Sequence, residues 1–332
     1  MIKAVEKIYN NTYGTHSIQR HAFVGGLAVL MIKVGIAGTG AWARRTHLPA
    51  LLQHPDVLLV GVWGRDGERA RQLAAEFGVE AFPTFEQLSD VVDVVDIAVS
   101  PMAQAEIAMR AATAGRHLML EKPLAMTSAE ASAISRLVKE RQVVAKVFLS
   151  RLFDEPRRAW LRSGADRQWT IALFDWKSAG LLGSSPAADD WRIVAGPLFD
   201  VGPHVLSQLE LLLGEVTSVT SASTDERGAV DFSLVHSSGA HSVSHIDLRA
   251  PVAFTEERIS LSSPDETRSW GNDGQVDFIA AFRLMVDDVI DDLRGRESKD
   301  RAISTLSGTV DGARVVRLLH DIHSTLISAP GA

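Results

Sequence analysis

Three stretches of this chain carry residues able to do chemistry. Residues 38–43 read Gly-Thr-Gly-Ala-Trp-Ala, a G-x-G-x-x-A loop. In such a loop Gly38 permits a tight turn and Gly40 lets a pyrophosphate approach the backbone, while Ala43 lets the next helix pack closely on the strand before it. With Thr39, Ala41 and Trp42 they form a candidate dinucleotide cradle, because a helix N-terminus offers unpaired N–H groups and a positive dipole end to phosphates. The second stretch is Trp63-Gly64-Arg65-Asp66. A carboxylate directly after this strand would select the ribose 2′-hydroxyl of NAD, and an arginine nearby would accept the 2′-phosphate of NADP. Here Gly64 holds that position and Arg65 follows, so the sequence favours NADP over NAD. The third stretch is Glu121-Lys122-Pro123. A lysine at the carboxyl end of a parallel strand lies where ligands bind in open α/β sheets. Its ammonium can hold a reacting oxygen and stabilise negative charge developing there.

Those positions need elements to hold them. Short runs of Val, Ile and Leu at 32–37, 58–63, 94–99, 117–120 and 143–149 predict strands buried on both faces. Helical stretches at 44–53, 67–77, 103–114 and 128–141 lie between them. That alternation predicts a doubly wound parallel sheet, a Rossmann domain over residues 31–150. After residue 150 the pattern changes. A helix at 155–162, a strand at 169–176, a Gly/Ser/Pro-rich loop at 178–188 and a helix at 205–213 come first. Alternating stretches at 216–223, 229–236, 242–248 and 257–262 follow, then helices at 276–294 and 300–327. Period-two alternation predicts an open, mainly antiparallel sheet, so residues 151–332 read as an α+β domain for substrate binding and oligomerisation.

Composition narrows the function classes. The net charge of −7, with Lys and Arg scattered, argues against a nucleic-acid binder. The absence of cysteine excludes disulfides, thiolate nucleophiles and Cys-ligated zinc. It fits a reducing cytoplasm, where the protein is expected to reside. No apolar run reaches the roughly 20 residues of a membrane span. Residues 1–30, with Lys3, Lys7, Arg20 and an apolar stretch at 22–30, read as an extension upstream of Met31 rather than a signal peptide. His241 and His245 are four apart, a metal pair if helical, but they fall in an alternating strand with no matching acidic partner, so no metal is expected.

Longer motifs add a resemblance. The G-x-G-x-x-A loop followed by His47-Leu48-Pro49-Ala50 resembles the glucose-fructose oxidoreductase, inositol dehydrogenase and rhizopine-catabolism family, Gfo/Idh/MocA. Ala114-Gly115-Arg116-His117 leading to Glu121-Lys122-Pro123-Leu124-Ala125 is similar to its most specific motif. Gly196-Pro197-Leu198-Phe199-Asp200-Val201-Gly202-Pro203-His204 is similar to its D-x-G-x-H element. The resemblance covers residues 31–213. It implies a nicotinamide between the two domains and a catalytic set of Lys122, Asp200 and His204. Asp200 and His204, four apart, share a face if helical, and a histidine is a natural proton carrier near neutral pH. Ser100, Pro101, Gln104 and Glu121 join the cofactor contacts; Arg151, Trp191 and Arg192 are substrate-side candidates.

Two positions depart from the family. Gln104 stands where many members carry the histidine of a P-x-x-H pattern, and Ser207 where many carry an aspartate. The function implied is an NAD(P)-dependent oxidoreductase for a sugar, polyol or related hydroxyl/carbonyl compound, acting as a homodimer or homotetramer through the C-terminal sheet. The alternatives are a non-catalytic dinucleotide-binding sensor of the same family, or a reductase of a non-sugar substrate such as a dihydrodiol or tetrapyrrole.

Overall fold

The Val-, Ile- and Leu-rich runs of the first half assemble as one parallel sheet, because each is apolar on both faces and must be covered twice. The computed structural model describes residues 21–24, 27–182, 191–272, 275–298 and 300–328. Strands β1 (His21–Val24) and β2 (Leu27–Leu30) pair antiparallel as a separate two-stranded sheet within the expected extension, whose residues 1–20 lie outside the described ones. Then β3 (Ile32–Ala37), β4 (Val57–Trp63), β5 (Glu80–Ala81), β6 (Val94–Ile97), β7 (His117–Leu120) and β8 (Ala145–Val147) form the six-stranded sheet, in the order β5-β4-β3-β6-β7-β8. The order reverses at β3, and ligands bind in such sheets outside the carboxyl ends of the strands at that reversal. Both the glycine loop and the β6–helix turn lie there.

Several elements differ from the sequence expectation. The helix after the glycine loop starts at residue 41 and contains a π-helical turn, Ala43–His47, before Leu48–Leu52. The two-residue β5 and the helix Phe85–Asp90 are too short to produce a periodic signal. The last parallel strand is only Ala145–Val147, because its continuation turns into the helix Ser150–Phe153. The expected helix 300–327 is two helices, Arg301–Leu306 and Thr309–Ser328. The break supplies backbone to the edge of β8: Val147 N–H donates to the Ser307 carbonyl at 2.7 Å.

The second sheet has the order β10 (Val216–Thr224), β11 (Val230–His236), β12 (His241–Asp247), β9 (Ile171–Lys177), β13 (Glu256–Ser262), β14 (Thr267–Asn272). All neighbours are antiparallel except β12 and β9, which are parallel. Residues 267–272 lacked a clear alternation, so β14 is an addition to the expected strands. Burial alternates along β9 and β12: Ala172, Phe174 and Trp176 face the helices, while Ile171, Leu173 and Val243 are exposed on the other face. His241 and His245 lie on β12, a strand, as the alternation indicates.

The helix expected at 205–213 begins much earlier. Helical residues run from Trp191 to Leu213 with one break at Gly196, whose φ of 71° is left-handed. Pro203 removes a backbone donor inside the segment, which is why the sequence pattern suggests a later start. Burial overrides that cost. Gly202 lets the helix lie against the helix Thr309–Ser328, since a Cβ there would stand 2.6 Å from a Leu319 methyl. Among the described residues no helix is long and apolar enough to cross a membrane.

Candidate active site

The two loop glycines do different work. Gly38 has φ 146°, and a Cβ on it would sit 2.2 Å from the Ala98 carbonyl oxygen, so β6 approaches too closely for any side chain. At Gly40 a Cβ would meet nothing within 4 Å. The protein itself therefore leaves room at Gly40, at the start of a helix, where a phosphate would approach. Ala43 is buried beneath the loop. These features fit the pyrophosphate of a dinucleotide.

At the end of β4, Gly64 packs on the Thr39 side chain. Asp66 is used as a helix cap: its carboxylate accepts the backbone N–H groups of Glu68 and Arg69 at 3.0 and 3.1 Å. Arg65 and Arg69 both line the cavity. The sequence reading named Arg65 but not Arg69; its position three residues into the helix, on the same side as the loop, is the signal that could have found it.

Lys122 is mounted on a heavily tied loop, and its bond to Pro123 is cis. Gln104 does not line the cavity. Its buried amide donates to the carbonyls of Glu121, Pro123 and Leu124 at 2.6, 3.1 and 3.1 Å and accepts Glu121 N–H at 2.8 Å. Glu121 is itself buried and bonded to Trp42 and His47. His47 in turn faces Asp96. The sequence offered one sign of this network: Asp96 is a carboxylate in the middle of Val94–Ile97, a strand buried along its whole length, and such carboxylates are rarely buried without a partner.

The other half of the site comes from the second domain. Asp200 and His204 lie on one helix face, a turn apart. Lys122 Nζ donates to Asp200 Oδ1 and to the Asp200 carbonyl, both at 2.6 Å, bridging the domains. Burial pushes the Asp200 carboxyl up, but Lys122 and Arg192 outweigh it and hold the group below its ordinary range. His204 stacks on Trp176 at 6.0 Å with 10° between the rings. Its Nδ1 is buried with no hydrogen-bond partner. Burial, then the positive charges of Lys122, Arg151 and Arg157, push its pKa well below 6.5, so the ring is neutral at pH 7.

Behind Trp176 lies a buried ion cluster. Arg151 donates to Glu257 Oε1 at 2.5 Å, Arg157 bonds the other oxygen, and Arg151 also covers the Trp176 ring at 4.7 Å. Gln208 accepts a hydrogen bond from Arg157 at 3.1 Å and donates to the His204 carbonyl at 2.7 Å. The sequence reading missed Trp176, Arg157 and Glu257. Ser207 is buried and its hydroxyl bonds the His204 carbonyl at 3.3 Å, so it supports the helix rather than the cavity.

Lys122, Asp200 and His204 share one cavity of about 740 Å³ with Gly38, Thr39, Gly40, Ala41, Trp42, Gly64, Arg65, Ser100, Pro101 and Glu121. Arg151, Trp191 and Arg192 line it too. Trp191 lies beside Lys122, with Nζ 5.6 Å from its ring centre. Of the candidate site residues only Ala43 and Gln104 lie behind the lining.

Comparison with known proteins places the first half of the chain. Residues 32–149 match the model of an oxidoreductase family with an NAD-binding Rossmann fold, GFO_IDH_MocA. Over these residues the chain is similar to the Gfo/Idh/MocA oxidoreductase family. It is similar to the dTDP-3,4-didehydro-2,6-dideoxy-α-D-glucose 3-reductase of Streptomyces antibioticus, 36% identical over 34% of this chain and 35% of that one. The enzyme of the same name from Streptomyces violaceoruber is 30% identical over 58% of each chain. The matches thus span between a third and three-fifths of these relatives' lengths. The fold is similar to that of GenD2 from gentamicin A biosynthesis, solved with NAD: TM-score 0.77, 18% identity, covering 92% of this chain and 97% of the other. The UDP-N-acetylglucosamine 3-dehydrogenase of Acidithiobacillus ferrooxidans gives a TM-score of 0.73 at 20% identity, covering 89% of this chain and 98% of the other.

Proposed function

We propose that this chain is an NAD(P)-dependent dehydrogenase or reductase that interconverts a hydroxyl and a carbonyl on a sugar, polyol or related compound, most specifically a nucleotide-linked sugar. The observation that carries the reading is the meeting of Lys122 with Asp200, one turn from a neutral His204, in a cleft that also holds the glycine loop. A nicotinamide bound there would supply or accept the hydride. The protein's own part is charge and proton. Lys122 holds the reacting oxygen and stabilises its negative charge. Neutral His204 accepts the hydroxyl proton in oxidation and returns it in reduction. Asp200 fixes the lysine. The nucleotide-sugar class rests on the names of the relatives and on Trp191, a flat apolar surface on the cavity wall of the kind sugars stack on. The uncovered sheet face with Ile171, Leu173 and Val243 is the surface we assign to self-association. The test is a panel of free and nucleotide-linked sugars followed by NADPH and NADH absorbance; no turnover on any member would remove the substrate class.

We assign NADP as the preferred cofactor. Arg65 and Arg69 are exposed on the cavity wall and make no ion pair among the described residues, and the adjacent carboxylates are engaged, Asp66 as a cap and Glu68 with Arg71. Arg65→Ala and Arg69→Ala are each expected to weaken NADP about tenfold, the scale of one charge-assisted hydrogen bond, and to leave NAD nearly unchanged. Calorimetric titration with both cofactors checks this. Equal losses for NAD and NADP would show that neither arginine reads the 2′-phosphate.

A further inference from the structure

His47 takes no part in the chemistry proposed above, yet it stands where the two loops that serve it converge. Its Nδ1 lies 2.8 Å from Asp96 Oδ2 and its Nε2 3.0 Å from Glu121 Oε1. The same Glu121 oxygen accepts the Trp42 indole N–H at 2.7 Å. The other oxygen accepts the Lys122 backbone N–H at 3.2 Å. One carboxylate therefore ties the glycine loop to the residue that carries the ammonium.

The geometry also favours one state of the ring. Both ring nitrogens face carboxylate oxygens, and a neutral imidazole has only one N–H to give. Aromatic rings pack around it: Phe282, with ring centres 4.2 Å apart, Phe148 at 6.2 Å and Trp42 at 6.4 Å. The charged groups facing the ring are Asp96 and Glu121, and the side chain is essentially inaccessible to water.

We propose that His47 is a positioning residue, an imidazolium clamped between Asp96 and Glu121 that fixes Glu121 and, through it, both Trp42 and Lys122. Its link to turnover rests on the role given to Lys122 above. Burial alone would lower the ring's pKa, but the two carboxylates raise it to about 9 from 6.5. The folded chain thus keeps a proton that the unfolded chain releases. The clamp's contribution is complete below pH 6.5 and is lost as pH rises through about 9.

The test uses the full chain and the variants His47→Gln, Lys122→Ala and Trp42→Phe. Histidine ¹⁵N NMR is expected to show one ring doubly protonated up to about pH 9, absent from His47→Gln. The Trp42 indole N–H resonance, assigned with Trp42→Phe, is expected to move with the same midpoint. In His47→Gln, kcat on the substrate found with the panel should fall about 10–100-fold, the scale of a small misplacement of a reacting group. KM and NADPH affinity should change less than about threefold, and the fall in turnover expected of the parent as pH rises through about 9 should be absent. A ring that is neutral at pH 7, or a Trp42 resonance indifferent to the titration, would overturn the clamp. So would unchanged kcat in His47→Gln where Lys122→Ala loses turnover. Full turnover in Lys122→Ala would instead sink the proposed site, while the two NMR measurements still decide the clamp. If His47→Gln does not fold, His47→Gln/Asp96→Asn, which removes the cation and one carboxylate together, replaces it with the same expected losses.

Discussion

His204→Asn is expected to lower turnover by about 10²–10⁴, the usual worth of a positioned acid–base group, while dinucleotide affinity stays near that of the parent. Lys122→Ala should cost at least as much. It removes the ammonium that stabilises negative charge on the reacting oxygen and leaves Asp200 without its 2.6 Å partner. The losses should not multiply in the double variant, because both groups act on one oxygen. The pH profile adds a second check. His204 is neutral well below pH 6.5, since burial and three nearby cations oppose its protonation. Oxidation needs the neutral ring as base, so its rate should show no acid limb at 6.5 and should fall only at distinctly lower pH. Reduction needs the proton returned, so it should quicken as pH falls toward that same value. Steady-state kinetics in both directions from pH 5 to 9 checks the signs. Wild-type turnover in both single variants would remove Lys122 and His204 from the chemistry and place it on other residues of the cavity.

Gly40→Val is expected to abolish dinucleotide binding without unfolding the chain. Nothing in the protein lies within 4 Å of a Cβ at Gly40, so the added methyl groups meet only what enters the cradle. Gly38→Val is the contrast. Its left-handed backbone and the Ala98 carbonyl 2.2 Å from any Cβ make that substitution a lesion of the fold itself. Thermal unfolding should therefore separate the two, with Gly40→Val melting close to the parent and Gly38→Val well below it. Unchanged NADPH affinity in folded Gly40→Val would end the assignment of this loop to the pyrophosphate.

The sequence alone determined what depends on local pattern. Parallel strands covered on both sides must be apolar throughout, so β3, β4, β6 and β7 were legible as short Val/Ile/Leu runs. The glycine loop was legible because its spacing answers a demand of the backbone rather than of a distant neighbour. Lys122, at the end of a strand, and Asp200 and His204, on one helix, came from motif resemblance.

Tertiary structure decided what these residues touch. The start of the helix carrying Asp200 and His204 was hidden by Pro203, whose local penalty is outweighed by burial along the helix. Gln104 looked like a cofactor contact because it follows Ser100 and Pro101 on the strand-to-helix turn. It is instead turned inward, where three carbonyls of the lysine loop need a donor. Glu257 sits at an inward position of an alternating strand, where an apolar residue is the rule. It is accommodated only because Arg151 and Arg157 reach it from more than 90 residues away. No local pattern records such a pairing, since the desolvation of a buried charge is compensated by whatever the fold brings beside it. The charge states of His47 and His204 follow the same logic. Two histidines of one chain are driven in opposite directions, one raised by two carboxylates against its burial, the other lowered by burial and three cations. Those neighbours meet them only after the sheets, helices and domains have packed.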